Sequence, residues 1–343
     1  MQIRAIYPIS APFSIDSDII HENYRDLVEY LSSGREIRIR GDDFHQGEKL
    51  VARSKRFTKA QQRQSTSRFL LQPDWCVEFS GSFKFPGPKK FNLKDSKGQI
   101  IETPVAELRA VWRDFLPHFL DLTIQTYLLA LTFSFPGAVE PVGSLWTVGG
   151  KQHRHSRYYT SPVREALGFL NEQNFRPGYA VTPSEAIDWV FKSNGIFDGY
   201  SNSPASRSLN FFTRLFVEQE RVDELSDLVW AVAGIEAILV EGGRSSLGQL
   251  REKLAAIFRD RADTKWLSKW ISDVYSFRSR MLHGDRQIKS AFRADEDVDS
   301  RFQEEYDSRL FAVGLLLVLL QEMIIKQCSR LEFLTVIAPS PTG

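Results

Sequence analysis

Arg278 and His283 stand five residues apart in YSFRSRMLHGD, residues 275–285, and Gly284 follows directly. These residue types suit work on a phosphate. A guanidinium offers a flat fork of donors to phosphate oxygens, and an imidazole, titrating near neutrality, can take up or give up a proton. On a regular helix, five residues turn the chain through about 140°, so the two side chains diverge. A left-handed glycine at 284 can end the helix, and an unwound last turn would swing His283 toward the arginine. The alternative is a histidine that caps the helix or faces water.

The helices that carry these groups are legible from periodicity. With Leu267 as zero and about 100° per residue, Ile271, Val274 and Met281 fall within about 40° of it, and Arg278 falls near +20°, inside that apolar stripe. An unpaired charge so placed costs on the order of several kcal/mol, so a partner or a polar cavity is required. Arg280 points the other way, toward solvent. On the stretch 222–241, counted from Leu225, Val229, Val232 and Leu239 share one face, and Glu236 falls on it near +20° by the same estimate of about 100° per residue. The two stripes predict a Glu236–Arg278 pair. Such a pair is either a structural salt bridge or a device that orients the arginine; Tyr275 and Ser279 are further candidates beside it.

The rest of the chain divides in two. Across residues 1–200, REIRIRG (35–41) and WCVEFSGSFKFPG (75–87) alternate at period two, placing Trp75, Val77, Phe79, Phe83 and Phe85 on one sheet face. Val105–Phe133 is apolar at helical spacing and contains Pro117, which predicts two helices or one kinked helix. Further helix starts are expected at Ser161-Pro162 and at Thr182-Pro183-Ser184-Glu185, where Thr182 and Glu185 form a capping box. FDGYSNSPAS (197–206) reads as a linker. Beyond it no strand signal occurs, and four helices are expected, at 206–220, 222–241, 247–260 continuing after a break into 264–283, and 300–334. The expected fold is thus an α+β domain over 1–200, an all-α bundle over 201–335, and a frayed tail at 336–343.

Composition bounds the function. With 343 residues, 42% hydrophobic and 25% charged, the chain has the balance of a globular protein of two domains. A net charge of +1 gives no global pull on a polyanion, so any nucleic-acid site is a local patch. Lys49–Arg68 is one candidate, with seven basic residues and no acidic one; Lys49, Arg53, Lys55 and Arg56 lead it, as a phosphate-steering surface or as a solvated loop. His153 and His155 lack a nearby carboxylate or thiol, so a basic loop is expected there rather than a metal site. The acidic run 295–299 suits the start of the last helix. Two distant cysteines, Cys76 and Cys328, give no disulfide framework. The apolar run Leu310–Leu320, broken by Gln321 and Glu322, predicts a buried or dimer-forming helix. MQIRAIYPISAPF lacks the apolar core of a signal peptide, so a cytoplasmic location is expected. No Walker loop, dinucleotide fingerprint or serine-hydrolase elbow occurs, and neither cofactor nor metal is expected.

Arg278-x4-His283 resembles the RxxxxH signature of the HEPN superfamily, and Y-x-x-R-S-x-x-x-H-G is similar to its Apea-like branch. SLNFFTRL, LVWAVAGIEAIL and LREKLAAIF resemble the branch's earlier helices, including the position of Glu236, so the likeness spans about 205–330. The resemblance implies a helical bundle that forms a homodimer and brings two copies of the motif into one cleft. It implies metal-independent endoribonuclease activity in a bacterial toxin–antitoxin or antiviral setting, with RNA as substrate and an antitoxin or defence-system protein as partner. Arg278 would clamp the phosphate, His283 move the proton and Glu236 orient the arginine. Many active members carry Asn, Asp or His after the arginine; Ser279 stands here, as in the Apea-like group. Some members of the superfamily do not cleave and serve dimerisation or binding, which is the alternative.

Overall fold

A computed structural model of the chain describes residues 1–12, 17–39, 47–58, 73–88, 94–141, 143–155, 159–160, 162–175, 181–193, 203–218, 224–242, 245–285 and 300–333. Part of the basic run (Lys59, Arg63, Arg68), the acidic run 295–299, most of the linker stretch and the tail lie outside these residues. The side chains of His153 and His155 lie outside them too. The chain forms two compact units, one of Met1–Arg164 with Phe216–Val222, the other of Glu165–Leu215 with Asp223–Gly343. An antiparallel sheet with helices is followed by a mainly helical region, the expected α+β then all-α order.

The first unit is built on strands β1 (Gln2–Ile9), β2 (Arg35–Arg38), β3 (Lys49–Arg56), β4 (Trp75–Ser82), β5 (Ser144–Val148) and β6 (Lys151–His155), in the spatial order β2-β3-β4-β1-β5-β6. Every neighbouring pair is antiparallel. Tyr7 stands opposite Val77, and Ala5 stands opposite both Phe79 and Trp146. Residues paired in this way share a face, so these buried side chains form one apolar layer. Helices α1 (Asp18–Ser32) and α2 (Val105–Ser134) cover it. Tyr7 packs edge-on against Phe79 and Trp146, Phe79 does so against Tyr127 of α2, and the Tyr7 hydroxyl donates to Asp121. Pro117 lies inside α2, which runs on as one helix. Its buried threonines satisfy their hydroxyls locally, Thr126 donating to Leu122 O at 2.8 Å and Thr132 to Leu128 O at 3.1 Å.

The second unit contains α3 (Val163–Glu172), apart from the two residues at its start, then α4 (Pro183–Lys192), α5 (Pro204–Thr213), α6 (Glu224–Leu239), α7 (Ser246–Ile257), α8 (Thr264–Leu282) and α9 (Ser300–Ile325). The expected domain break near residue 200 is therefore moved. Helices α3 and α4 are part of the helical core: Phe169 meets Trp270 edge-on at 5.3 Å, and the Trp189 indole donates to Cys328 O at 2.8 Å. Thr182 and Glu185 form the capping box expected of them. Helix α5 stops at Thr213, not 220, and Val217–Glu218 forms a two-residue strand, β8, with Tyr159–Thr160, β7, where only helix was expected. Helix α9 ends at Ile325, short of 334, with Gln327 at φ +47°.

Helix α9 is the axis of this unit. By length and composition Gln303–Ile325 would reach across a membrane, yet 94% of its apolar window is buried within the protein. Two glycines set the packing distance. A side-chain carbon on Gly314 would stand 2.6 Å from Leu170 of α3, and one on Gly234 of α6 would stand 2.8 Å from Leu316.

Candidate functional site

Helix α8 starts on the Asp263 carboxylate, which accepts from Lys265 N at 2.9 Å. It buries Leu267, Ile271, Val274, Phe277 and Met281, so the stripe read from periodicity is the face it packs, with Phe277 added at its edge. Arg278 rises within this stripe with its side chain 24% exposed, and its Nη2 lies 3.5 Å from Oε2 of Glu236, itself 21% exposed. The predicted pair is present. Its setting differs from the expectation on the α6 side, where the deeply buried residues are Asp227, Leu228, Ala231, Val232, Ile235, Ile238 and Leu239. Glu236 sits on the margin of that surface, about 100° from its centre, because Gly234 and its neighbours turn inward to meet Leu316 of α9. The pair is a half-open contact at the rim of the α6–α8 packing.

Among the described residues, the guanidinium is engaged at one edge. Arg278 Nε is buried and has no hydrogen-bond partner among the described residues. An arginine held by one nitrogen at 3.5 Å retains donor capacity at its Nη atoms for another acceptor, whereas its Nε is closed off from solvent. Tyr275 and Ser279 flank it, both half-buried. Arg280, half-exposed, reaches Glu304 of α9 at 3.6 Å.

The helix end departs from the expectation in one respect. Gly284 takes φ +76°, its N–H donates to Met281 O at 3.2 Å, and Asp285 N donates to Arg280 O at 2.9 Å. This crossed pair is a Schellman cap, and glycine is there because it tolerates the left-handed turn. The reversal begins after His283. The His283 N–H still donates to Ser279 O at 3.1 Å, so the last turn does not unwind. His283 stays about 140° around the axis from Arg278 and is exposed. Within one chain the cap fixes the imidazole at the helix end beside exposed Leu282 and Gly284 and does not turn it onto the arginine.

Comparison of the chain with protein-family models, curated proteins and solved structures gave no match. The functional reading therefore rests on these residues and their surroundings.

The basic residues read as a phosphate surface belong to the first unit and divide between two faces. Lys49, Arg53 and Lys55 alternate on one side of β3, whereas Arg56, paired in register with Trp75, is on the other. Two of the three are already engaged: Lys49 with Glu36, and Lys55 with Glu78.

Charged clusters that periodicity passed over lie deep in the second unit. Arg309 of α9, its side chain 7% exposed, lies 2.7 Å from Glu165 and 3.7 Å from Asp227. The same angular count would have found it, since Arg309 precedes Leu316 by seven residues, two turns, and so shares its buried face. Glu322, which interrupts the apolar run of α9, is 3% exposed and is held by Arg261 and Lys326. Burial acts to raise its carboxyl, but the hydrogen bonds from Lys326 and Arg261 outweigh that and hold it below the usual carboxylate range. These clusters knit helices together; the half-open one is Glu236–Arg278.

Proposed function

We propose that the second unit is an HEPN-type bundle of the Apea-like kind and that it cleaves RNA without a metal, through attack of the substrate's own 2′-hydroxyl. The observation that carries this reading is the Arg278 guanidinium, seated in an apolar stripe, tied to Glu236 by one nitrogen and with its side chain still 24% exposed. Phosphate oxygens are the natural acceptors for that fork. As the 2′-oxygen attacks, negative charge grows on the phosphorus-bound oxygens and the cation stabilises it. An imidazole takes the 2′-hydroxyl proton, and a second acid protonates the departing 5′-oxygen; the products are a 2′,3′-cyclic phosphate and a 5′-hydroxyl.

Since His283 stands away from Arg278 on its own helix, the reading requires a homodimer. There the His283 of one copy reaches the Arg278 of the other, and two histidines are available as base and acid. Tyr275 and Ser279 border the phosphate position. A bacterial toxin or antiviral role, cytoplasmic, with an antitoxin or activator as partner, belongs to the same proposal.

A second reading is favoured by the same divergence: a non-catalytic bundle for dimerisation or binding, in which Glu236–Arg278 is a rim salt bridge. Incubating the purified full chain with mixed RNA in excess EDTA separates the two. Fragments ending in cyclic phosphate support the nuclease; intact RNA at every protein concentration supports the binding module.

A further inference from the structure

The sheet of the first unit has a second face, and its chemistry is unlike the first. In a strand, alternate residues point to opposite sides. While Leu50 and Ala52 of β3 enter the core, Lys49, Arg53 and Lys55 face away from it. The register extends this row: Arg38 of β2 stands opposite Lys49, and Arg53 stands opposite Glu78 of β4. Arg4 of β1 joins by its contact with Glu78. Five cations thus share a face with two carboxylates, Glu36 and Glu78, an excess of three positive charges.

The carboxylates do not cancel the field evenly. Glu78 is 7% exposed and sits between Arg4 and Lys55, both still about half-exposed, so it anchors their stems and leaves them at the surface. Burial works to raise the Glu78 carboxyl, but hydrogen bonds from Lys55 and Arg4 hold it low. Lys49 pairs with exposed Glu36. Among the described residues, Arg38 and Arg53 have no carboxylate partner, and both are exposed. Arg53 lies across Gly34, where a side-chain carbon would come within 2.8 Å of its Nε. The missing side chain at Gly34 is what lets the guanidinium lie along the strand edge.

We infer that this outer sheet face, centred on Arg38 and Arg53 with Arg4, Lys49 and Lys55 around them, binds the phosphate backbone of single-stranded RNA. On β3 Arg53 and Lys55 are same-face neighbours, about 6.6 Å apart, Val51 separates Arg53 from Lys49, and Arg38 stands across from Lys49 at about 4.8 Å; this interrupted row of cations is one along which phosphates of an extended strand can rest. Charge complementarity selects a polyanion; the choice of RNA rests on the reading of the helical unit as a ribonuclease. Among the described residues this face carries no element to enter a duplex groove. The five cations recruit no ring for base stacking, so binding depends on charge and disregards base sequence.

The test uses the full chain carrying His283→Ala, so that RNA stays whole, with a fluorescent 20-nucleotide single-stranded RNA read by anisotropy over a range of salt. The double variant Arg38→Glu/Arg53→Glu is expected to weaken binding at least 10-fold at low salt. It should also flatten the plot of log K against log salt by about 1.4, roughly 0.7 for each phosphate no longer neutralised. Arg38→Gln/Arg53→Gln should weaken it less, and Lys97→Glu, on an exposed turn elsewhere in the unit, should leave it unchanged. Equal binding by parent and double variant overturns the inference; so does an equal loss in Lys97→Glu, or a preference for duplex RNA. Cleavage by the unmodified chain is scored separately. Weakened binding with no cleavage sinks the ribonuclease reading and spares the face, while cleavage with unchanged binding does the reverse.

Discussion

Arg278 Nη2 lies 3.5 Å from Glu236 Oε2, yet Arg278 Nε, buried beside it, has no acceptor among the described residues. Because this pair is long and about a fifth to a quarter exposed, its worth to folding is small, about 1 kcal/mol or less. Glu236→Gln should therefore shift the urea unfolding free energy by no more than about that amount, while lowering RNA cleavage at least 10-fold as the arginine loses its orientation. Unfolding and cleavage measured on the same preparations check this.

Arg309 of the same unit differs from Arg278 in depth: its side chain is 7% exposed against 24%. It lies 3.7 Å from Asp227, which is 7% exposed. Arg309→Ala removes the cation beside a buried carboxylate, and the expected cost is about 3–5 kcal/mol. Chemical denaturation should show that loss together with a drop in yield of folded protein.

Gly284→Ala isolates the helix cap. Nothing stands within 4 Å of the added carbon, so the penalty is conformational, from φ +76°. Stability should fall by about 1–2 kcal/mol, and Gly284→Asn by less, since asparagine tolerates the left-handed region better. If the cap also aims His283, Gly284→Ala should lower cleavage beyond the effect of unfolding, read at a temperature where both proteins are fully folded.

Acid sensitivity follows from Glu322. Its folded carboxyl is held below the ordinary value, near 4.3 in an unfolded chain. Its contribution is thus fully present above about pH 4.3 and is lost as pH falls through the folded value. The gap in urea midpoint between the parent and Glu322→Gln should be widest near pH 7 and shrink as the pH falls below about 4.3. A gap constant with pH would remove this carboxylate from the acid response.

Much of the second unit is legible in the sequence, because helices announce themselves by period. The α8 stripe, the glycine stop at 284 and the Glu236–Arg278 pair all follow from angular counting and residue type. The offset on α6 arose because that helix is apolar almost all round, so counting from Leu225 did not reveal which side faces α9. The first unit is less legible. β3 looks like a basic loop because only Leu50 and Ala52 are buried apolar positions and three of its four outward positions, Lys49, Arg53 and Lys55, are charged. β1 alternates Ile3, Ala5, Tyr7 and Ile9, yet central strands also bury part of the other face, as Ile6 does, and the alternation blurs. The Gly/Ser/Asn/Pro stretch near 200 resembles a boundary but is a connection between helices of one core, since Leu170 upstream seals against Gly314 downstream.

The packing that moves this boundary predicts a further outcome. Gly314→Val would drive a branched side chain into Leu170, and overpacking there should cost on the order of 2 kcal/mol. Thermal unfolding of Gly314→Val alone and with Leu170→Ala reads the coupling; relief by the second substitution is expected.

The central claim is tested most directly by the rate at which the full chain cuts a labelled RNA in excess EDTA, compared with the rate for His283→Ala. His283 is exposed, so its removal should leave the melting temperature unchanged while the rate falls at least 100-fold, the scale of a missing acid or base. Undiminished cutting by His283→Ala, or none by the unmodified chain, would contradict the account.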